Sequence, residues 1–268
     1  MKIMAIQIPV GREVLNEEEV YVRRGSGKYY AYPKKIESFT TNAIISSAYY
    51  ALVQEGNQAR YAISMKQEYN GSEFIPASVE GLNNGLFIPT PAIFMPHYIN
   101  VNEASQGKNV LYDANGDVIE KERLHEYAAK LNRGCWVWIN AMFPKEKTKD
   151  TGFKGLDLAI INGFEEEQPI FKREPLERCL EDNGWADLES LNRQGFPTEK
   201  AKIGKYELGK TIYFLAPFLR EDDPEVGFVA GFVADSDGAF LYCYWGPQYS
   251  DAVLGVFLCA EGTAQKNS

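Results

Sequence analysis

Apolar residues recur along the chain at two spacings, and the spacing assigns most of the elements. In KERLHEYAAKLN, residues 121–132, Leu124, Tyr127, Ala128 and Leu131 fall three or four apart, so one side of a helix is apolar, and Gly134 follows as its stop. Thr40 to Gln54 (TTNAIISSAYYALVQ) places Ile44, Ile45, Ala48 and Leu52 on one helical face, with Thr or Asn available as N-cap and Gly56 beyond, and a second helix is expected there. Pro175 at a first helical position opens PLERCLEDNGW, with Leu176, Cys179 and Leu180 on one face, and predicts a third.

Strand-like runs are more numerous: RYAISM (60–65), CWVWINAMF (135–143), LDLAIIN (156–162), IYFLAP (212–217), FVAGFV (228–233) and LGVFLC (254–259). Asn115-Gly116 between VLYDA and DVIE predicts a type I′ hairpin, which requires positive φ at both central residues. From Ser72 to Asn100, Pro76, Pro89, Pro91 and Pro96 separate short apolar pieces, so irregular connections with edge strands are expected. No repeat or linker divides the chain. Strands and hairpins with two or three inserted helices, and no βαβ alternation, predict an α+β fold of antiparallel sheets with long loops over residues 1–268.

Composition narrows the function classes. A net charge of −9 is the wrong sign for tracking phosphates, so nucleic acid is not expected as a partner. MKIMAIQIPVGREVL is too short an apolar run for a signal peptide and reads as a short strand, and no segment approaches the length of a membrane span. Localisation is left open. Cys135, Cys179, Cys243 and Cys259 form no close pair of the kind structural zinc needs, and they read as buried free thiols.

Several motifs resolve into ordinary structure. Arg24-Gly-Ser-Gly-Lys28 lacks phosphate-loop spacing and reads as a turn. Asp113-Ala-Asn115-Gly116-Asp117 misplaces the glycine of a calcium loop and has Leu124 where the bidentate Glu should stand, so the hairpin explains it. His97 is expected in a loop and His125 on an exposed helix face, neither as part of a catalytic set. Glu165-Glu166-Glu167 and Glu221-Asp222-Asp223 are acidic loops, with calcium as the sharper alternative to solvated charge. No catalytic residue, metal site or cofactor is expected.

The segment Phe228–Cys259 differs from everything before it. Two apolar runs bracket Asp235, Ser236, Asp237, Tyr242, Tyr244, Tyr249, Ser250 and Asp251, interleaved with Gly238, Gly246 and Pro247, and the segment has no His, Lys, Arg or Glu. Tyr offers a large amphipathic face at low rotamer cost, and Ser, Asp and Gly supply adaptable polar contacts. Tyr242 and Tyr244 share one strand face, Cys243 faces the core, and Gly246-Pro247 breaks the strand into a loop presenting Tyr249, Ser250 and Asp251.

GAFLYCYWGPQYSDAVLGVFLC (238–259) resembles the variable proteins of diversity-generating retroelements, closest to their archaeal branch. Better-known members often carry Arg after the glycine of the terminal strand, where this chain has Gly255-Val256. The resemblance implies a C-type lectin fold with helices packed outside, and a C-terminal variable region, approximately 228–259, that contacts a protein or surface glycan without catalysis. Adenine-directed randomisation of an AAY codon reaches Tyr, Ser and Asp but never Gln or Trp. On that reading Asp235, Ser236, Asp237, Tyr242, Tyr244, Tyr249, Ser250 and Asp251 are recognition positions, and Cys243, Trp245 and Gln248 are scaffold. The alternatives are an enzyme on the lectin-like fold of the formylglycine-generating family, which would need a reactive cysteine arrangement, or a viral structural protein without variable recognition.

Overall fold

The computed structural model describes residues 5–6, 19–23, 29–55, 58–146, 152–166, 168–220, 223 and 227–265. The turn at Arg24–Lys28, the N-terminal run apart from Ala5–Ile6, and Glu167, Glu221 and Asp222 of the acidic loops lie outside the described residues.

In chain order the strands begin with β1 (Ala5–Ile6), β2 (Glu19–Arg23), β3 (Tyr29–Pro33), β4 (Thr40–Thr41), β5 (Tyr50–Glu55) and β6 (Gln58–Ser64). Helices α1 (Phe74–Asn83), α2 (Pro91–Ser105) and α3 (Lys121–Asn132) follow. The rest is strand: β7 (Cys135–Phe143), β8 (Asp157–Glu165), β9 (Gln168–Pro175), β10 (Gly184–Asp187), β11 (Thr211–Leu215), β12 (Phe228–Asp235), β13 (Gly238–Trp245), β14 (Leu254–Gly255) and β15 (Cys259–Gln265). They make a small sheet β1-β3-β2, a sheet β4-β15-β6-β5, and a large sheet β10-β11-β13-β12-β7-β8-β9 in which β14 also pairs with β7. All pairings are antiparallel except β11 with β13 and β14 with β7. The chain is a mixed α+β protein built mainly on antiparallel sheets.

Strand β7 sets the layering. Cys135, Val137, Ile139, Ala141 and Phe143 enter one apolar core, and the intervening Trp138 and Met142 enter a second on the opposite face. Asn140 on that second face is buried. Its amide donates to the Ile161 carbonyl at 2.8 Å and its oxygen accepts from the Ile161 N–H at 2.9 Å, so a side chain extends the β7–β8 ladder. Helices α2 and α3 cover the first face, where Phe94 and Tyr98 meet Phe232 of β12 at 5.0 and 5.1 Å. Helix α1 covers the second with Phe74 and Ala77, joined by Leu254, Val256 and Leu258. That second layer lies over β7 and β8. Beyond it, the same face of β13, β11 and β10 carries half-buried side chains.

The α3 helix, its four inward residues and strand β7 match the sequence pattern residue for residue. Thr40–Gln54 does not form the expected helix: it is β4, a single 3-10 turn at Ser47–Tyr49, and β5, and Ile44, assigned inward, is 95% exposed. Tyr50, Ala51, Leu52 and Val53 are all buried because β5 packs on both faces, which erases the strand alternation. The predicted helix at Pro175 is coil, since its donors go elsewhere: Leu176 to Leu156, Glu177 to the Gln194 side chain and Leu180 to Pro197. Leu176, Cys179 and Leu180 are nevertheless buried as expected.

The reverse error falls on Ser72–Asn100, expected as irregular and in fact α1 and most of α2. Pro76 lies in the first turn of α1, where an N–H has no intrahelical partner, and Pro91 opens α2. Pro96 is inside α2 and costs about 3 kcal/mol there. Burial of Ile93, Phe94, Met95 and Val101, at roughly 1.5–3 kcal/mol each, outweighs it. At Asn115-Gly116 only Gly116 has positive φ, so the turn is not type I′; the Asp113 carboxylate accepts from the N–H groups of Asn115 and Asp117 and pairs with Arg123. The terminal strand expected at 254–259 is split between β14 and β15.

His97 is not in a loop. It lies in α2, fully buried, with Nε2 2.8 Å from the Tyr127 hydroxyl and no hydrogen-bond partner for Nδ1 among the described residues. Burial lowers its pKa from 6.5 to about 3. The unfolded chain therefore takes up a proton that the folded chain refuses. Stability from this group is fully present above the unfolded pKa and falls by up to about 1.4 kcal/mol per pH unit as pH drops toward 3. In urea unfolding followed across that range, His97→Phe is expected to flatten the acid slope relative to wild type; equal slopes would assign the acid sensitivity to other groups.

Candidate functional site

Strand β13 divides its side chains between the core and the open face. Ala239, Leu241 and Cys243 are fully buried in the first core, and Phe240, Tyr242 and Tyr244 are half-buried on the other side. From these three the ring contacts run without a break across the sheet. Trp185 of β10 meets Tyr213 of β11 at 5.3 Å, Tyr213 meets Phe240 at 5.9 Å, and Phe240 stacks beside Tyr242 at 6.0 Å. Tyr242 touches Tyr244 edge-on at 5.8 Å and stacks on Trp245 at 5.3 Å, and Trp245 reaches Tyr249 at 5.8 Å. Phe218 closes the side at 5.7 Å from Tyr244 and carries the Arg220 guanidinium 5.2 Å from its ring centre. Offset and edge-on aromatic pairs of this kind contribute about 0.5–1.5 kcal/mol each beyond burial, so the rings form a shaped surface rather than loose side chains.

The recognition positions expected from sequence divide into two groups. Tyr242, Tyr244 and Tyr249 share the aromatic face, none of them buried, and Tyr249 is 42% exposed. Ser250 is exposed beside Tyr249, and Asp251 is half-buried, with Oδ1 accepting from the Val253 N–H at 3.1 Å. Asp235, Ser236 and Asp237 form the tip of the β12–β13 hairpin, where Asp235 Oδ1 accepts from the Asp237 N–H at 2.8 Å. Eight residues of strand separate this tip from the loop after Trp245, a span of about 23 Å. Asp235 and Asp251 thus spend one carboxylate oxygen each on their own turns.

Of the expected scaffold residues, Cys243 is fully buried and Trp245 packs against Trp138 and Trp136 at 5.4 and 6.4 Å. Gln248 is exposed in the turn that follows the buried Pro247. That turn is tied down at both ends: the Phe74 N–H at the start of α1 donates to the Pro247 carbonyl, and the Gln67 amide donates to the carbonyls of Val253 and Trp136.

Sequence reading missed Phe240, although Phe240, Tyr242 and Tyr244 sit at the two-residue period of one strand face. It also missed Trp185, Tyr213 and Phe218. Parallel pairing of β11 with β13 brings Tyr213 opposite Phe240, a long-range register that no local pattern announces.

Burial, then the neighbouring Tyr244 and the Asp235 carboxylate, raise the pKa of Tyr242; burial, then Tyr213 and Cys243, raise that of Tyr244. Both phenols therefore stay protonated at neutral pH and can donate as well as accept. The four cysteines are free and buried, and burial pushes the thiols up, Cys135 to about 12, Cys179 to about 11, and Cys243 and Cys259 well above the ordinary value. Among the described residues no three His, Cys, Asp or Glu side chains gather where they could hold a metal ion. No helix among them is long and apolar enough to cross a membrane.

Comparisons with protein-family models, curated proteins and solved structures find no match to the chain.

The thiol chemistry is directly measurable. With a thiol-reactive dye at mildly alkaline pH, the native protein is expected to leave all four cysteines unlabelled, and urea should release four reactive thiols per chain. Fast labelling of any one in the native state would point to an activated thiolate.

Proposed function

We propose that the chain is a non-enzymatic ligand-binding protein, a retroelement variable protein on a C-type lectin-like fold, which meets a protein or surface glycan through the aromatic face of β13 and the loop after it. One observation carries the reading: the three tyrosines singled out by sequence lie in one continuous series of ring contacts on a face of the sheet that none of the described helices covers. Tyr242, Tyr244 and Tyr249 supply contact area, with their phenols as polar handles. Ser250 and Asp251 add polar contacts beside them, and the hairpin tip at Asp235–Asp237 acts as a second, separate edge.

An enzyme of the formylglycine-generating kind is the weaker reading, because it requires an accessible, activated thiol. All four thiols here are buried and hold their protons. The retroelement part of the proposal is decided by the coding locus: a neighbouring reverse transcriptase and a near-repeat of the segment encoding Phe228–Cys259, differing mainly at adenines, support it, and their absence removes it.

The binding part is tested by screening arrays of surface glycans and surface proteins and then measuring the recovered target against variants. Tyr242→Ala, Tyr244→Ala and Tyr249→Ala are each expected to weaken binding, the strongest by about 2 kcal/mol or more, roughly 30-fold. Tyr49→Ala, at a tyrosine 61% exposed in the 3-10 turn before β5, should leave affinity unchanged. A target whose affinity survives all three β13 and loop substitutions would overturn the proposal.

A further inference from the structure

We infer that Trp245 is the fixed centre around which the recognition surface is arranged, and that Gly231 is the residue that positions it; this rests on the binding reading above. Trp245 stands three residues after Tyr242, and in a regular strand the two would face opposite sides of the sheet. They do not. Tyr242 pairs with Gly231 and Trp245 with Val229, so three steps along β13 match two along β12. This bulge turns Trp245 to the same face as Tyr242, and the two rings stack with their planes 24° apart.

The indole can occupy that place only because residue 231 has no side chain. A Cβ on Gly231 would lie 2.0 Å from one indole carbon of Trp245 and 2.2 Å from the next, so the ring rests directly on the β12 backbone. Gly231 has no positive φ to account for it, which leaves close approach as the reason for glycine. From this seat Trp245 is flanked by Trp138 edge-on and Trp136 nearly parallel, and it touches both Tyr242 and Tyr249. Two of the three proposed contact tyrosines therefore lean on one ring. Adenine-directed change of an AAY codon cannot produce Trp, so under the proposed function this ring stays constant while residues around it vary. Any side chain at 231 displaces Trp245, and with it the support of Tyr242 and Tyr249.

The experiment uses the full chain with Gly231→Ala, Trp245→Leu and the double variant, and needs no target. Three close indoles give a coupled circular dichroism signal, and nitration mapped by mass spectrometry reads the exposure of each tyrosine. Gly231→Ala should keep its far-ultraviolet spectrum, lose the indole coupling as Trp245→Leu does, and show Tyr242 nitrated severalfold faster. It should lower Tm by roughly 4–10 °C in the wild-type background and much less when residue 245 is Leu. If Gly231→Ala alone fails to fold, a folded double variant supports the inference and an unfolded one overturns it. Unchanged indole coupling and Tyr242 protection, or an equal Tm loss in both backgrounds, also overturns it. Because these readouts are independent of binding, failure here is separable from failure of the binding reading.

Discussion

Strand β7 has almost no solvent face, and the rest of the molecule is arranged around that constraint. Its odd-numbered residues from Cys135 to Phe143 require a covering layer on one side, and Trp138 and Met142 require another on the opposite side. Two helices in contact with each other, α2 and α3, supply the first. The second is assembled from α1 and from chain segments that arrive late, Leu254 to Leu258, so the C-terminal residues complete a core that the middle of the chain begins. Because the second layer is anchored on Trp138 and extends toward β8, the far half of the sheet is left with one covered face and one open face. An open sheet face of ordinary polarity would be unremarkable. Here it carries Trp185, Tyr213, Phe240, Tyr242, Tyr244 and Trp245, all half-buried and linked ring to ring, and the binding proposal rests on that partly exposed aromatic face.

The two covered faces also explain which parts of this fold could be read from sequence. Helix α3 lies at the surface with one side wet, so its period of apolar residues is clean and its ends are legible. Helix α2 is buried on nearly every side: Ile93, Phe94, Met95, His97, Tyr98, Val101 and Asn102 point in all directions, no period survives, and three prolines nearby suggest a break that packing overrides. Strand β5 loses its alternation in the same way, and a run that is apolar on both faces of a strand imitates a helix. The segment after Pro175 satisfies a helical pattern of buried residues yet forms none, because distant backbone and side-chain groups take its donors. In each case the failure comes from tertiary partners.

The candidate site was legible to a similar degree and for the same reasons. Tyr242, Cys243 and Tyr244 alternate as a strand must, and their placement follows from period alone. Codon arithmetic assigns Trp245 to scaffold and would set it with Cys243 behind the loop, but the alternation of a regular strand does not bring it to the face of Tyr242. A bulge decides position, and a bulge in β13 has no signature in GAFLYCYW. Asp235, Ser236 and Asp237 lie at the opposite end of β13 from the loop residues, a separation set by the eight residues of strand between them.

Strand geometry also bears on how a surface of this kind can change while the fold persists. Ala239, Leu241 and Cys243 hold β13 to the first core, and Phe240, Tyr242 and Tyr244 point the other way, so replacing an outward residue leaves the core packing of its neighbours intact. The loop after Trp245 is similarly insulated, since the bonds that fix it use the Pro247 and Val253 carbonyls rather than the side chains of Gln248, Tyr249 or Ser250. Asp251 is the exception, because its carboxylate accepts from Val253 and shapes the turn. Coupling between the outward positions then runs through the rings that touch, and the indole lying over Gly231 joins Tyr242 on the strand to Tyr249 in the loop. An outward residue of such a surface can be replaced without disturbing the core, whereas replacing the indole withdraws the support of Tyr242 and Tyr249 together.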